Sequence, residues 1–204
     1  MTLPDAELTY DPKHPFDGAF TCLQNVFQKT NINEGIVNIR VSSNENNMEY
    51  PVVKRDEGFD WWVSDDVNGS WYEVNFIHSY FHLKSYVIRD WYLDFFANWK
   101  VLGSNDGVNY DVVDSVNGFQ VSDVNSHPNF HFVCKYPKTR KYFRIQTSGK
   151  RLKETDYTFA IYRLEFYGIF TLNDHLMITF MRKTFLNNIL LIFIYIHLFI
   201  STET

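Results

Sequence analysis

The sequence predicts an all-β protein, a sandwich or jelly roll of short antiparallel strands. An aromatic content of 18% favours β structure with large core side chains. Period-2 alternation of apolar and polar residues recurs at short, regular intervals, with turn residues between the runs. The clearest unit is Asn98–Val113. Trp99, Val101 and Gly103 alternate with Lys100, Leu102 and Ser104, Asn105-Asp106-Gly107 supplies turn chemistry, and Tyr110, Val112 and Val113 open the returning strand. This is a hairpin with Trp99 as its core anchor.

Taken in order, residues 1–15 are polar, carry three prolines, and read as a loose lead-in. From Phe16 the apolar positions Ala19, Phe20, Leu23, Val26 and Phe27 recur at helical spacing. The predicted helix ends near Thr30 and covers one end of a sheet. Ile36–Val41 is a strand, and Ser42–Asn47 is a polar loop. Trp61 and Trp62 lie between the acidic pairs Asp56-Glu57 and Asp65-Asp66, in a segment read as loop. Ser70–Phe76 alternates, with Tyr72, Val74 and Phe76 on one face. Leu83–Arg89 is a strand, Asp90–Ala97 a loop dense in aromatics, and the hairpin follows. Phe130–Cys134, Lys141–Gln146 and Phe159–Phe166 complete the series, with Phe143 and Ile145 inward and Arg144 outward.

The character changes from Thr171. Residues 185–200 are nearly all apolar. As a helix this run reaches roughly 24 Å, a little short of a ~30 Å hydrocarbon core. Three readings compete: a tail anchor with Arg182 and Lys183 on the cytoplasmic side, translated non-coding sequence at the gene's end, and a packed or interfacial helix. The organisation is thus a lead-in (1–15), a folded domain (16–170) and an apolar tail (171–204).

A net charge of −5 speaks against a strongly basic nucleic-acid binder. Cys22 and Cys134 make no disulfide framework, and the first residues lack the apolar stretch of a signal peptide; the expected compartment is intracellular and cytoplasmic. The sequon at Asn68 reads as a turn. His78/His82 and His127/His131 fall in strand-like sequence, where i and i+4 stand about 13 Å apart, too wide for one metal ion. Asp65 and Asp66 read as solvated turn acids. No phosphate loop, nucleophile elbow or Cys-x-x-Cys occurs. Neither enzyme activity, metal nor cofactor is expected. Arg89 and Arg144 occupy outward strand positions suited to cross-strand pairing.

Ser70-Trp71, Tyr86–Arg89, Asn98–Gly107, Tyr142–Gly149 and the closing Leu164-Glu165-Phe166-Tyr167-Gly168 together resemble the discoidin domain. This is the coagulation factor five/eight type C domain of the galactose-binding-like jelly rolls, and the match runs from about Ile36 to Phe170. The opening helix resembles intracellular protist members, in which the domain can follow BTB-type modules.

The resemblance implies a non-enzymatic recognition module that holds sugars, lipid headgroups or proteins with loops at one end. The matching loops are Ser43–Tyr50, Asp60–Asp65, Asp90–Ala97 and Gly149–Tyr157. The candidate ligand residues are Trp61, Trp62, Arg89, Trp91, Tyr92, Asn98, Lys150 and Arg151. Extracellular members bracket the domain with a disulfide, which Cys22 and Cys134 do not reproduce. Some members carry a structural calcium near Asp56 and Glu165, and too few ligands occur here to expect one. The reading placed first is a protein partner. The alternatives are a carbohydrate, stacked on Trp91 or Tyr92 and bonded by Arg89 or Asn98, or a membrane-attached adaptor held through residues 185–200.

Overall fold

The computed structural model describes residues 7–27, 35–43, 51–53, 61–77, 79–89, 96–120, 129–151 and 155–172. The alternating runs become strands: β1 (Val37–Val41), β2 (Trp62–Val63), β3 (Trp71–Phe76), β4 (Ser79–Arg89), β5 (Trp99–Ser104), β6 (Asp111–Val116), β7 (Asn129–Arg140), β8 (Tyr142–Thr147), β9 (Ala160–Ile161) and β10 (Arg163–Leu172). They form a five-stranded sheet in the order β1-β3-β8-β5-β6, a three-stranded sheet β10-β4-β7, and the short pair β2-β9. Every pairing is antiparallel. The predicted sandwich is the observed one. Several strands run longer than their sequence patterns: β4 starts at Ser79, and β10 reaches Leu172, beyond the expected boundary at 170.

The inward faces match the alternation. Tyr72, Val74 and Phe76 of β3, Trp99 and Val101 of β5, and Phe143 and Ile145 of β8 are buried, facing Phe81, Tyr86, Ile88, Leu164 and Phe166 of the smaller sheet. Phe76 makes edge contact with Phe143, at a centroid distance of 6.2 Å. Such ring pairs add to the area they bury. Trp99 is 1% exposed, and its indole N–H donates to the Tyr86 hydroxyl (2.8 Å), which donates to Asp114 Oδ2 (2.8 Å). A core tryptophan, a core tyrosine and a buried carboxylate therefore satisfy one another across the two sheets.

The hairpin turn is held by Asp106. Its Oδ1 accepts from the Val108 and Asn109 amides, both at 2.8 Å, and from Ser104 Oγ at 2.9 Å. These bonds, led by the Asn109 amide, hold its carboxyl well below the usual range. Gly107 has φ 72°, and a Cβ there would sit 3.2 Å from the Tyr142 ring, so both the turn and the close approach require glycine.

Helix α1 (Ala19–Phe27) closes the edge beside β10, with Ala19, Phe20 and Leu23 in the core. Its first turn docks on Glu165, whose carboxylate accepts the amides of Phe20 (2.9 Å) and Thr21 (3.3 Å). A Cβ at Gly18 would lie 2.4 Å from the Phe166 carbonyl oxygen, so the chain can pass here only without a side chain. The segment before the helix corrects the expected loose lead-in. Leu8 exchanges two backbone bonds with Gly168 (2.8 and 2.9 Å), Tyr10 stacks on His131 at 3.9 Å, and Tyr167 donates its hydroxyl to the Pro15 carbonyl at 2.7 Å. Residues 7–17 are a strap across the outer face of the small sheet, anchored by aromatic and backbone contacts rather than by apolar periodicity. Burial pushes the Cys22 thiol up to about 11 and that of Cys134 higher still, which makes both poor nucleophiles. No helix among the described residues is long and apolar enough to cross a membrane, and residues 185–200 lie outside them.

Trp99→Ala is expected to cost about 3–5 kcal/mol in a denaturant melt, against about 1 kcal/mol for Trp99→Phe, which loses only the hydrogen bond and part of the ring. Equal costs would remove the assigned packing role. Glu165 yields a pH prediction. Burial pushes its carboxyl up to about 7, against the opposing pull of the Phe20, Phe166, Thr21 and Gly18 amides. A carboxyl raised in the folded state contributes stability that is present below about pH 4.5 and lost as the pH rises through 7. Burial holds the His131 imidazole below its usual range, a slope of opposite sign in part of this window. The difference between wild type and Glu165→Gln isolates the carboxyl. Relative to the variant, wild type is expected to lose on the order of 2 kcal/mol between pH 4.5 and 7.5; parallel stability curves would contradict this.

Candidate functional site

Three groups of polar residues stand out, one on the sheet face toward the β5–β6 turn and two at the opposite end, where β4, β6 and β8 finish and β5, β7 and β10 begin. The third group lines a cavity.

The first group lies on the outer face of the five-stranded sheet. Glu73 is directly opposite both Arg40 and Arg144 in register, and its side chain is fully buried. It accepts from Arg40 Nε at 2.6 Å, Arg144 Nε at 3.1 Å, and the Tyr110 hydroxyl. Arg144 lies 4.0 Å from the Trp71 ring centroid and 4.3 Å from that of Tyr110. The expected cross-strand pairing of Arg144 is observed. These charges answer one another and pin the hairpin turn to the sheet; they form a structural node.

The second group contains the predicted loop residues Asn98, Lys150 and Arg151. Asn98 Oδ1 accepts the Gly118 amide at 2.9 Å, and the Asn98 carbonyl accepts the Ser148 amide at 3.0 Å. Arg151 makes a bidentate pair with Asp156 at 2.7 and 2.5 Å. Lys150 extends over Tyr157, 5.7 Å from the ring centroid. The Gly149 amide donates to Asn68 Oδ1 at 2.9 Å and the Tyr157 amide to Asp66 Oδ1 at 2.6 Å. Asp66 and Asn68 thus serve as loop clamps, and Arg151 is spent on holding its own loop.

The third group is a cavity of ≈ 230 Å³ lined by Lys13, His14, Pro15, Phe16, Asp17, Arg89 and Arg163. Arg89 and Arg163 are directly opposite on neighbouring strands. Leu164 and Phe166 point into the core, so alternation turns Arg163 and Glu165 to the outer face beneath the strap. Both guanidinium groups sit over the Phe16 ring, Arg89 at 4.7 Å and Arg163 at 4.9 Å from its centroid. Arg89 Nε also donates to Asn129 Oδ1 at 2.7 Å. The strap reaches the cavity as a series of turns: the His14 amide donates to the Asp11 carbonyl (3.0 Å) and the Asp17 amide to the His14 carbonyl (3.1 Å). Thr21 Oγ1 donates to the Phe16 carbonyl at 2.6 Å, which ties the Phe16 ring to the docked helix.

Of the six expected site residues that are described, Arg89 alone lines this cavity. Trp62 is corrected to the core: it is fully buried, its indole N–H donates to the Ser43 carbonyl (3.1 Å), and Tyr72 and Phe159 pack on it. Its ring is not offered to a ligand. Trp61 is half-buried. Trp91 and Tyr92 lie outside the described residues, as do Asp56, His78 and His127. Sequence reasoning missed Arg163, Lys13, His14, Phe16 and Asp17. Strand parity was the available signal for Arg163, since it shares the outward face of Glu165. Among the described residues no group of three His, Cys, Asp or Glu side chains converges as a metal site, and Glu165 is occupied by the amides of α1.

No protein-family model matches the chain, and no curated protein does. Solved structures do. One is the third family 32 carbohydrate-binding module from a family 31 glycoside hydrolase of Clostridium perfringens. It shares 14% identity at a TM-score of 0.54, over 68% of this chain and 95% of that one. Another is chitosan-binding module 1 of a chitosanase/glucanase from Paenibacillus sp. IK-5, at 19% identity and a TM-score of 0.51, over 68% and 98%. A third is a family 32 module of a Clostridium perfringens family 89 enzyme in complex with GalNAc-β-1,3-galactose. It stands at 9% identity and a TM-score of 0.51, over 67% and 99%. The ordered sheets, the Trp99 hairpin and these likenesses agree: the chain has the discoidin, galactose-binding-like jelly-roll fold.

Proposed function

We propose that this chain is a non-catalytic glycan-binding module that holds one sugar residue between the strap and the paired arginines Arg89 and Arg163. The observation that carries the reading is the cavity itself. At ≈ 230 Å³ it falls below the roughly 300–1,000 Å³ of pockets for drug-sized ligands, which suits a single pyranose ring. Its lining offers guanidinium, ammonium and imidazole donors with one carboxylate acceptor, and sugar hydroxyls both donate and accept. Of the two ligand classes placed foremost from sequence, the likeness to carbohydrate-binding modules favours carbohydrate, and a protein partner gains no support. Small recessed cavities suit sugars better than they suit protein surfaces, which bury about 800 Å² per partner.

A glycan array probed with the full chain is expected to give discrete hits. Against the strongest hit, Arg89→Ala is expected to weaken binding at least tenfold, or about 1.4 kcal/mol. Lys150→Ala should change it less than twofold, with both variants melting cooperatively. A blank array would contradict the reading. A folded Arg89→Ala protein with undiminished affinity would move the site to the Gly149–Tyr157 loop.

A further inference from the structure

We infer that the strap is a pH-sensitive latch: protonation of His131 releases Tyr10, and with it the wall that the strap contributes to the cavity. The latch stands on the strap's own contacts. Its consequence for a ligand rests on the glycan-binding reading above.

The strap is held to the outer face of the small sheet at four points. Leu8 exchanges backbone bonds with Gly168 at 2.8 and 2.9 Å. Glu7 pairs with Lys84 at 2.8 Å, both side chains being more than a third exposed, so that pair adds little. The Tyr167 hydroxyl donates to the Pro15 carbonyl, and burial holds this phenol far above its usual range, so it stays a donor. The fourth point is the stack of Tyr10 on His131, with centroids 3.9 Å apart and the rings within 11° of parallel. Histidine is the one side-chain type among these anchors whose ordinary titration falls between about pH 5 and 8.

The docked ring suits a neutral imidazole. Its Nε2 is buried and has no hydrogen-bond partner among the described residues. A neutral imidazole can leave that nitrogen as an unused lone pair, whereas the imidazolium carries a proton on each nitrogen and both need acceptors. A buried cationic N–H without an acceptor costs more than the unused lone pair. Attraction of the cation to the face of the Tyr10 ring offsets part of this cost, but it supplies no acceptor in the imidazole plane. Tyr167 meets the ring edge to face, at 6.4 Å and 89°.

The charged groups around His131 are committed elsewhere or repel it. On the strap, Asp11 Oδ1 accepts the Lys13 amide at 2.9 Å and Glu7 holds Lys84. On β4, Val87 stands directly opposite His131 and Arg89 follows it on the same face, where a guanidinium opposes a second cation. On β10, Glu165 stands opposite Val87 and accepts the amides of α1. On the core side of β7, Asp114 of β6 accepts from Tyr86 and from the Lys135 amide. Burial correspondingly holds the His131 imidazole below its ordinary 6.5. A base lowered in the docked state favours docking at neutral pH, and that advantage is lost as the pH falls below 6.5. Glu165 contributes a slope of the opposite sign.

Release of Tyr10 reaches the cavity directly. Lys13, His14, Pro15, Phe16 and Asp17 line it. Two turn bonds, from the His14 amide to the Asp11 carbonyl and from the Asp17 amide to the His14 carbonyl, join this wall to the stacked segment. A ligand held at neutral pH is therefore released in acid.

Hydrogen exchange of the full chain, followed by nuclear magnetic resonance at about pH 7.5 and 5.5 and corrected for intrinsic rates, tests the latch without any sugar. Protection of the Leu8 amide, taken relative to that of Ile145 in β8, is expected to fall about fivefold in acid. His131→Phe keeps the stack without the titration and should abolish the fall, while Glu165→Gln should retain it. Tyr10→Ala, a change in the strap alone, should return the titration of the His131 ring protons toward 6.5. A fall that is absent, or equal in His131→Phe, would overturn the inference, as would a His131 titration that Tyr10→Ala leaves unmoved. Affinity for the strongest glycan-array hit should weaken in acid for the wild type and less so for His131→Phe, His14 being present in both. Equal profiles would separate the strap from the cavity and also overturn the inference. A working latch in a chain that binds no glycan would remove the glycan reading and leave the latch, whereas glycan binding without the exchange signature would remove the latch alone.

Discussion

The bond from the Tyr86 hydroxyl to Asp114 is the constraint on which the architecture turns. Asp114 is 1% exposed and sits on β6 of the large sheet, while Tyr86 sits on β4 of the small one. A carboxylate so placed is tolerable only when donors surround it. It accepts from Tyr86 at 2.8 Å and from the Lys135 amide of β7 at 3.4 Å, and Trp99 of β5 completes the chain through Tyr86. Burial and the neighbouring Asp114 hold the Tyr86 phenol far above its usual range. Strands of both sheets therefore meet at one buried acid, which fixes their relative offset in a way that apolar packing alone does not. Arg89 lies three residues beyond Tyr86 on the same strand, so the offset that satisfies Asp114 also sets where Arg89 emerges.

Edge closure supplies the other wall of the cavity. β10 is the edge of the small sheet, and an uncovered edge invites pairing with other chains. Here α1 and the strap cover it, with Glu165 accepting the first amides of the helix and Tyr167 holding Pro15. Glu165 and Arg163 are two apart on one strand. The residue that docks the helix and the residue that faces the cavity are thus products of a single alternation, and the cavity exists because the helix is docked.

Much of the fold was legible in the sequence because alternation and turn chemistry are local signals. Trp99, Val101, Phe143 and Ile145 declared their inward faces, and Asp106-Gly107 declared the turn. The strap was not legible. Its anchors, Leu8, Tyr10 and Pro15, have no periodicity, and their contacts with Gly168, His131 and Tyr167 span more than 100 positions. Trp62 misled for a related reason: beside acidic turns a tryptophan looks exposed, and only the tertiary packing of Tyr72 and Phe159 buries it. Of the candidate site, Arg89 entered through the family resemblance, since its outward strand position by itself suggests only a cross-strand pair. Arg163 was hidden within a strand valued for its apolar residues, and its pairing with Arg89 depends on a register that no local pattern encodes.

The central claim is that Arg89, Arg163 and the strap form one sugar-binding cavity. Nuclear magnetic resonance of the full chain, titrated with the strongest hit of a glycan array, tests it most directly. The account predicts saturable shifts of the Arg89 and Arg163 side-chain Nε–H signals and of the His14, Phe16 and Asp17 amides, with Trp71, Tyr110 and Arg144 unmoved. Shifts confined to Gly149–Tyr157 and Asn98, or none at saturating sugar, would contradict it.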